Sequence, residues 1–190
     1  MLLSLPNEME FKDDEILALI RQNNTRERGY RLLIKKYQKR LYAHIRNLVQ
    51  THEDTDDVLQ NTFLKIFKNL NGFEQKSSLF TWIYRIATNE AMNLLQTKTR
   101  NNHVVKDNII PLFGNSKAEG YFDEQQAIVL FEKAILALPE KQKLVFHLRY
   151  YEALTYEQIS HITETSVGAL KASYHHAIKK LESFIKENNL

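Results

Sequence analysis

Cysteine is absent from the 190 residues, which excludes disulfide scaffolds, thiol nucleophiles and thiolate metal sites. The absence fits a reducing compartment. Glycine and proline are scarce, at five and three, where average usage would give roughly 12% of a chain. A chain so poor in breakers runs long helices and lacks the turns that a sandwich or barrel needs. No run reaches the roughly 18 apolar residues of a membrane span. The start, Met1 to Phe11, has no basic region, and Pro6 cuts its short apolar patch. A cytoplasmic protein without membrane insertion is therefore expected. Charge of either sign is in little excess: 26 Lys and Arg face 23 Asp and Glu, a formal +3. That excludes a polybasic tail or a uniformly acidic chain, but not local patches.

What is there is mostly helical in period. The apolar fraction of 43% is enough for one ordinary core or two small ones. Residues 13–96 carry a helical pattern, residues 97–126 are polar and broken by Pro111, Gly114 and Gly120, and residues 127–188 are helical again. The middle stretch reads as a linker, with Ile109, Ile110, Leu112 and Phe113 as an apolar piece able to dock. In the first block, helices are expected over 13–22 and 26–49, from the Thr51–Asp54 capping pair to about Leu70, and from Ser77 or Ser78 onward. In the second, helices are expected over 124–137 and 139–151, then a short one from Thr155. A turn at 163–165 and a final helix opened by Ser166 complete it. Short helix, tight turn and longer helix form a candidate helix-turn-helix, although many bundles contain such a pair with no nucleic-acid role.

Four surfaces stand out. Glu53, Asp54, Asp56 and Asp57 crowd the first turn of the third helix, with Gln60 and Asn61 beyond them. The positive end of a helix favours one or two carboxylates there. Four within five positions repel one another, so a basic protein partner is a reasonable further cause. Asp56 and Asp57 do not form a metal pair, because adjacent helical residues diverge by about 100°. Residues 26–46 are net +7, with Arg26, Arg28, Arg31, Lys35, Lys36, Lys39, Arg40 and Arg46 against Glu27. A solvated face usually mixes signs, so attraction to phosphate or to an acidic surface is expected.

The segment Phe73–Asn93 has one apolar face. The opposite face is expected to present Ser78, Thr81, Arg85, Thr88, Asn89 and Met92, with Phe80, Trp82 and Tyr84 interleaved. Rings that stack on bases, beside polar groups that read their edges, suit single-stranded nucleic acid. Ordinary core packing is the plainer account of the rings, Trp82 above all. The loop 71–78, with Gly72, Lys76 and two serines, precedes this helix. The final helix would bring Ser166, Ala169, Lys171, Ala172 and Ser173 towards a groove, with His175, His176, Lys179 and Lys180 adding reach. His175 and His176 are adjacent and do not converge on one ion, so no metal is expected. There is also no phosphate-binding loop, no glycine-rich dinucleotide turn and no nucleophile elbow. No enzyme mechanism and no cofactor is expected.

Four blocks then resemble a known family in order and spacing. They are Asp56-Asp57-Val58-Leu59-Gln60-Asn61-Thr62-Phe63, Phe80-Thr81-Trp82-Ile83-Tyr84-Arg85-Ile86-Ala87-Thr88-Asn89, Leu138-Pro139 through Leu148-Arg149-Tyr150, and Leu154-Thr155-Tyr156-Glu157-Gln158-Ile159-Ser160 with Ser166-Val167-Gly168-Ala169-Leu170-Lys171. Across roughly residues 20–186 the chain resembles bacterial sigma factors of the extracytoplasmic-function group. The resemblance implies an all-α fold, an N-terminal helical bundle joined by a flexible linker to a C-terminal helix-turn-helix domain. It implies an alternative sigma factor whose partners are bacterial core RNA polymerase, promoter DNA and often an anti-sigma factor.

Core binding would fall to Asp54, Asp56, Asp57, Gln60, Asn61 and Phe63. Recognition and melting of the −10 element, with capture of the opened non-template strand, would fall to Lys76, Phe80, Thr81, Trp82, Tyr84, Arg85, Thr88 and Asn89. Duplex reading at −35 would fall to Thr155, Ser166, Val167, Ala169, Lys171, Ala172, Ser173, His175 and His176. The linker would run through the RNA exit region of the polymerase.

Two departures from the family pattern bear on this. Where recognition helices of the family usually carry arginines after the position of Lys171, this chain has Ser173, His176 and Ile178. Fewer fixed charges weaken phosphate attraction. Met92 stands where the family more often has Asp. Two other readings keep the fold: a DNA-binding regulator that forms no productive holoenzyme, and an interaction module that titrates an anti-sigma factor.

Overall fold

The computed structural model describes residues 11–101 and 124–188, and every regular element among them is helical. The chain divides into two compact units after Asn101. The first holds α1 (Asp13–Arg21), α2 (Arg26–Val49), α3 (His52–Asn69), a 3-10 turn (Leu70–Gly72) and α4 (Leu79–Asn101). The second holds α5 (Glu124–Leu136), α6 (Glu140–Tyr150), α7 (Tyr156–Thr163) and α8 (Val167–Glu187).

In the first unit α2 packs against α1, α3 and α4, and α3 packs against α4. One stripe of α2 makes this possible: Leu33, Tyr37, Leu41, Ile45 and Leu48 recur at helical spacing and are buried. Polar groups hold α1 in place. Tyr37 donates its hydroxyl proton to the Asp13 carboxylate at 2.8 Å, and Lys36 Nζ lies 2.6 Å from the same group. Burial, then the hydrogen bond to Asp13, pushes the Tyr37 phenol far above its ordinary value. At the other end of α1, Thr25 Oγ1 donates to the carbonyl of Leu19 at 2.8 Å and Arg26 Nε to that of Ile20 at 3.2 Å. These side chains satisfy carbonyls that a helix end leaves without partners.

The expected caps form. Thr51 Oγ1 accepts the Asp54 N–H at 3.2 Å, and Ser78, rather than Ser77, accepts the Thr81 N–H at 3.1 Å. The boundary expected at residue 96 falls inside α4, which runs to Asn101. Residues 97–101 are polar but contain no breaker, the Thr97 and Thr99 hydroxyls donate back to the carbonyls of Asn93 and Leu95, and Lys98 finds a partner in Asp54. The rest of the expected linker, with Ile109, Ile110, Leu112 and Phe113, lies outside the described residues except for 124–126, which begin α5.

In the second unit α8 packs against α5, α6 and α7. Its core joins Ala134, Leu138, Phe146, Ala177 and Leu181. Phe146 stacks between Tyr150 and Tyr174, at 5.1 and 6.0 Å between ring centres. Pro139 sits at the cap position just before α6, where a missing N–H costs nothing. The helix-turn-helix is α7 and α8. Thr155 and Gln158 form a reciprocal capping box on α7. Glu164 adopts a left-handed conformation, φ 53°, to end α7, and Ser166 caps α8 by accepting the Ala169 N–H at 3.4 Å. The turn lies one residue later than expected, at 164–166.

A close approach at α1–α2 can be tested. A Cβ on Gly29 would come within 2.5 Å of Ile20 Cγ1 and 2.9 Å of the Ile20 backbone nitrogen. Alanine in place of glycine ordinarily favours a helix by about 1 kcal/mol. Here the clash is partly with backbone, which cannot swing away, and overpacking costs about 1–3 kcal/mol. Gly29→Ala is expected to lower unfolding free energy by up to about 2 kcal/mol net, read from urea melts. A stabilised variant would show that α1 is not seated against Gly29.

Candidate functional site

The acidic start of α3 separates into two groups. Asp54 faces inward along the seam with α4. Its Oδ2 accepts from Lys98 Nζ at 2.6 Å and from Thr51 Oγ1 at 2.5 Å. Burial pushes this carboxyl up, but the hydrogen bonds from Lys98 and Thr51 and the Lys98 charge outweigh it and hold the carboxyl below its ordinary value. Glu53, Asp56, Asp57, Gln60 and Asn61 are exposed. Leu64, one turn beyond Gln60, is 59% exposed. Phe63, expected among the docking residues, is buried with Val58, Thr62 and Ile66 on the inner face of α3, its ring 6.0 Å from that of Phe67. A helix turns about 100° per residue, so Phe63 points about 160° away from Asn61 and, although only about 60° from Gln60, falls on the buried stripe with Thr62 and Ile66.

On α4 the exposed polar face is narrower than the sequence pattern indicates. Thr81 and Thr88 are 3% and 2% exposed, and Tyr84 is fully buried. The reason is that α4 packs against both α2 and α3, which covers two stripes rather than one. The buried hydroxyls are satisfied: Thr81 Oγ1 lies 2.8 Å from Ser78 Oγ, and Thr88 Oγ1 lies 2.9 Å from Nε2 of the buried His44. Tyr84 lies against His44 at 4.8 Å and against Phe80 at 4.1 Å, ring centre to ring centre. Phe80, Trp82 and Arg85 are half-buried, and Asn89 and Lys76 are exposed. Trp82 leans on Phe73 at 5.1 Å, a boundary position, and Lys76 pairs with Glu74.

Sequence reasoning missed one partner here. Arg40 of α2 places its guanidinium 4.5 Å from the Phe80 ring centre and 5.7 Å from that of Tyr84. The basic run is visible in the sequence, but the meeting of residues 40 and 80 is not. Other members of that run have local partners: Arg31 pairs with Glu27, Lys36 with Asp13, and Arg26 caps α1.

On α8, Ser166, Ala169, Lys171, Ala172, His175 and His176 are exposed, and Val167 and Ser173 are half-buried. Thr155 is exposed at the start of α7. The His175 and His176 rings lie 6.0 Å apart. Two further residues gather around Lys171. Its Nζ lies 5.8 Å from the Tyr156 ring centre, and Arg149 of α6 lies 5.2 Å from the same ring while donating to the carbonyl of Leu154 at 2.7 Å. Hydrogen bonds from its own backbone N–H and from Thr155 hold the Glu157 carboxyl below its ordinary value, and the charges of Lys171 and Arg149 add to this. One aromatic ring thus collects a cation from α6 and another from α8.

These arrangements define a two-unit helical protein whose second unit carries a capped helix-turn-helix. Comparison with known proteins gives the class. The family model Sigma-70 region 2 matches residues 33–101, and the model Sigma-70, region 4 matches residues 128–181. The RNA polymerase sigma-H factor of Pseudomonas aeruginosa is 25% identical over 184 residues, covering 92% of this chain and 94% of that protein. The ECF RNA polymerase sigma-E factor of Haemophilus influenzae is 26% identical over 188 residues, covering 93% and 97%.

Two solved structures share the fold. The sigma factor RpoE in complex with the anti-sigma factor NepR, from Bartonella quintana, gives a TM-score of 0.65 at 22% identity, covering 83% of this chain and 96% of that one. CnrH in complex with the cytosolic domain of CnrY gives 0.67 at 18%, covering 93% and 99%. The chain belongs to the sigma-70 family of RNA polymerase sigma factors, in its extracytoplasmic-function group. The general function of that family is to bind core RNA polymerase and recognise promoters, and sigma factors are not enzymes. Among the described residues no helix is long and apolar enough to cross a membrane.

The Asp54 arrangement predicts a pH dependence. A carboxyl depressed in the folded state stabilises fully above its unfolded value of about 3.9, and that stabilisation is lost as pH falls through the lower folded value. Asp54→Asn is expected to cost about 0.5–1 kcal/mol at pH 7, since Lys98 is itself 46% exposed. The gap should close as pH drops below about 4. Urea melts of both proteins at pH 7 and pH 3 check it; a gap independent of pH would remove the charge from the account.

Proposed function

We propose that this chain is an alternative sigma factor that docks on core RNA polymerase through the outer face of α3, opens the −10 element with the loop before α4 and with α4 itself, and reads the −35 duplex with α8. The observation that carries the reading is the division of α3. Asp54 is taken up by Thr51 and Lys98, whereas Asp56, Asp57, Gln60 and Asn61 are exposed in one patch that ends at Leu64. Thr51 and Lys98 account for Asp54, and the outer acids are more than the positive end of a helix calls for. A basic surface of the polymerase is a fitting complement.

On α4 the division of labour follows burial. Phe80, Trp82, Arg85 and Asn89 reach the surface and take the opened strand, together with Lys76 from the preceding loop. Thr81, Tyr84 and Thr88 fix the helix from inside. In the second unit Lys171, with Ala169, Ala172, Ser173 and His175, enters the major groove, while Thr155 and Ser166 cap the two helices that carry the contact. An anti-sigma partner is part of the proposal, because the sigma factor RpoE of Bartonella quintana, which shares the fold, was solved in complex with the anti-sigma factor NepR. The scarcity of arginine on α8 favours a second reading, a member that binds its regulator and initiates nowhere.

Run-off transcription with bacterial core polymerase and a genomic promoter library separates the two. Discrete starts preceded by a shared pair of elements are expected; core binding without starts would favour the second reading. Replacing both Asp56 and Asp57 by Asn should weaken core affinity about tenfold or more while leaving the thermal melt unchanged, since both side chains are exposed. Unchanged core affinity would sink the docking role. Lys171→Ala should weaken −35 duplex binding and lower the salt slope by about 0.9, with little effect on a −10 single strand. Equal losses on both probes would remove Lys171 from a separate reader.

A further inference from the structure

We propose that His175 and His176 of α8 couple duplex binding to proton uptake: each ring, once charged by a proton, holds a backbone phosphate at the wall of the major groove, so affinity for the −35 duplex rises as pH falls. The proposal adds regulation to the reading of α8 as the −35 helix and rests on it.

Four observations carry it. The first is placement. α8 begins at Val167, and it is the N-terminal residues of a recognition helix that meet base edges. At 1.5 Å per residue, His175 and His176 lie about 12 Å further along, where a helix nearly as wide as the groove runs beside phosphates. Adjacent helical residues diverge by about 100°, so the two rings serve separate phosphates. The second is availability. Both residues are exposed, and among the described residues neither ring has a hydrogen-bond or ion-pair partner; each has the other ring, 6.0 Å away.

The third is the surroundings. Lys171 and Lys179 stand one turn either side of His175, and Lys179 and Lys180 stand three and four residues beyond His176. The acids of α8 are Glu182 and Glu187, six or more residues beyond either ring. Of the helices packed on α8, α6 contributes Arg149, and α7 contributes Tyr156 and Glu157; these gather at Lys171. Glu132 of α5 acts on Tyr151 instead, and His161 is exposed on the last turn of α7. Like charges one turn apart on a helix repel. A proton added to either ring therefore meets cations in the free chain and anions on the duplex. Binding and protonation favour each other, and that coupling is reciprocal.

The fourth is magnitude. α8 has four lysines, two glutamates and no arginine, so two protons take its net charge from +2 to +4. Lysine and arginine keep their charge near neutrality, whereas imidazole changes charge between about pH 5 and 8. Half of the positive charge available to this helix is thus conditional on pH.

The test uses the holoenzyme, this chain with core polymerase. The probe is a fluorescein-labelled duplex carrying only the −35 element of a promoter found in the run-off experiment. Affinity is measured over a salt series at about pH 8 and about pH 6, with core affinity and a −10 single strand measured in parallel. The variants are the double replacements His175→Gln with His176→Gln, and His175→Arg with His176→Arg. Wild-type affinity for the duplex should rise about fivefold to tenfold on going to the lower pH. The plot of log affinity against log salt should steepen by about 0.9 for each ring that gains a phosphate. The glutamine pair should lose both changes. The arginine pair should bind tightly at both pH values.

A rise no larger in the wild type than in the glutamine pair would assign it to other groups, His161 among them, and overturn the proposal. So would a rise matched on the −10 strand or explained wholly by core affinity. A rise without a steeper salt plot would remove phosphate as the partner. If wild-type holoenzyme binds the −35 duplex no better than core does at either pH, the reading of α8 fails, and this assignment with it.

Discussion

In each unit one long helix touches all the others: α2 meets α1, α3 and α4, and α8 meets α5, α6 and α7. This constraint shapes everything else. A unit with so few helices has little interior, so its central helix must bury a broad stripe. Leu33, Tyr37, Leu41, Ile45 and Leu48 form that stripe on α2, and Leu170, Ala177 and Leu181 form it on α8. The outer faces of the same two helices are left to carry the cations. Function and core are thus held in register by the helical repeat itself: moving the apolar stripe by one residue would swing Arg40 or Lys171 about 100° away from its ring.

Rings are the second device by which few charges are put to use. Phe80 holds Arg40 and Tyr156 gathers Arg149 and Lys171. A long cationic side chain in water samples many rotamers, and placing it on a contact costs about 1.5–2 kcal/mol of side-chain entropy when it is fully fixed. A ring that already holds the cation has met part of that cost before DNA arrives. In a chain whose net charge is only +3 and whose recognition helix is poor in arginine, this preorganisation matters more than in a strongly basic protein.

Much of this was legible in the sequence, and the exceptions share one cause. Caps were legible because they are local: Thr51 with Asp54, Thr155 with Gln158 and Ser166 with Ala169 each span three residues, within reach of pattern alone. The exposure of Asp56, Asp57, Gln60 and Asn61 followed from a single apolar stripe on α3, and that stripe is what forms. On α4 the same reasoning failed for Thr81, Tyr84 and Thr88. A threonine at a polar position looks solvated until a second neighbour covers it, and nothing in the sequence says that α2 and α3 both lie against α4. Phe63 is expected at the docking surface from its place in the run Asp56–Phe63 that resembles the family, while its angular position on α3 sends it inward. The Lys98–Asp54 pair and the Arg40–Phe80 contact each join residues about 40 apart in the chain, so they exist only once the bundle is closed.

On the proposed reading, in which α8 meets the duplex and α4 the opened strand, the few cations on each become adequate once both act from one assembly. A single phosphate contact supplies a modest factor, and salt erodes it quickly. Two weak readers carried on one polymerase do not bind independently, however. Engagement of either element turns the other into an intramolecular event at an effective concentration near the millimolar range, provided the span between them fits the promoter. Under that arrangement a strong free affinity of α8 for duplex DNA would be a disadvantage, because it would hold the chain on non-specific sites without polymerase. Spare charge on the recognition helix, with cations confined to the few positions where a ring holds them, is then consistent with a protein whose affinity for promoters is built by the holoenzyme rather than by the chain alone.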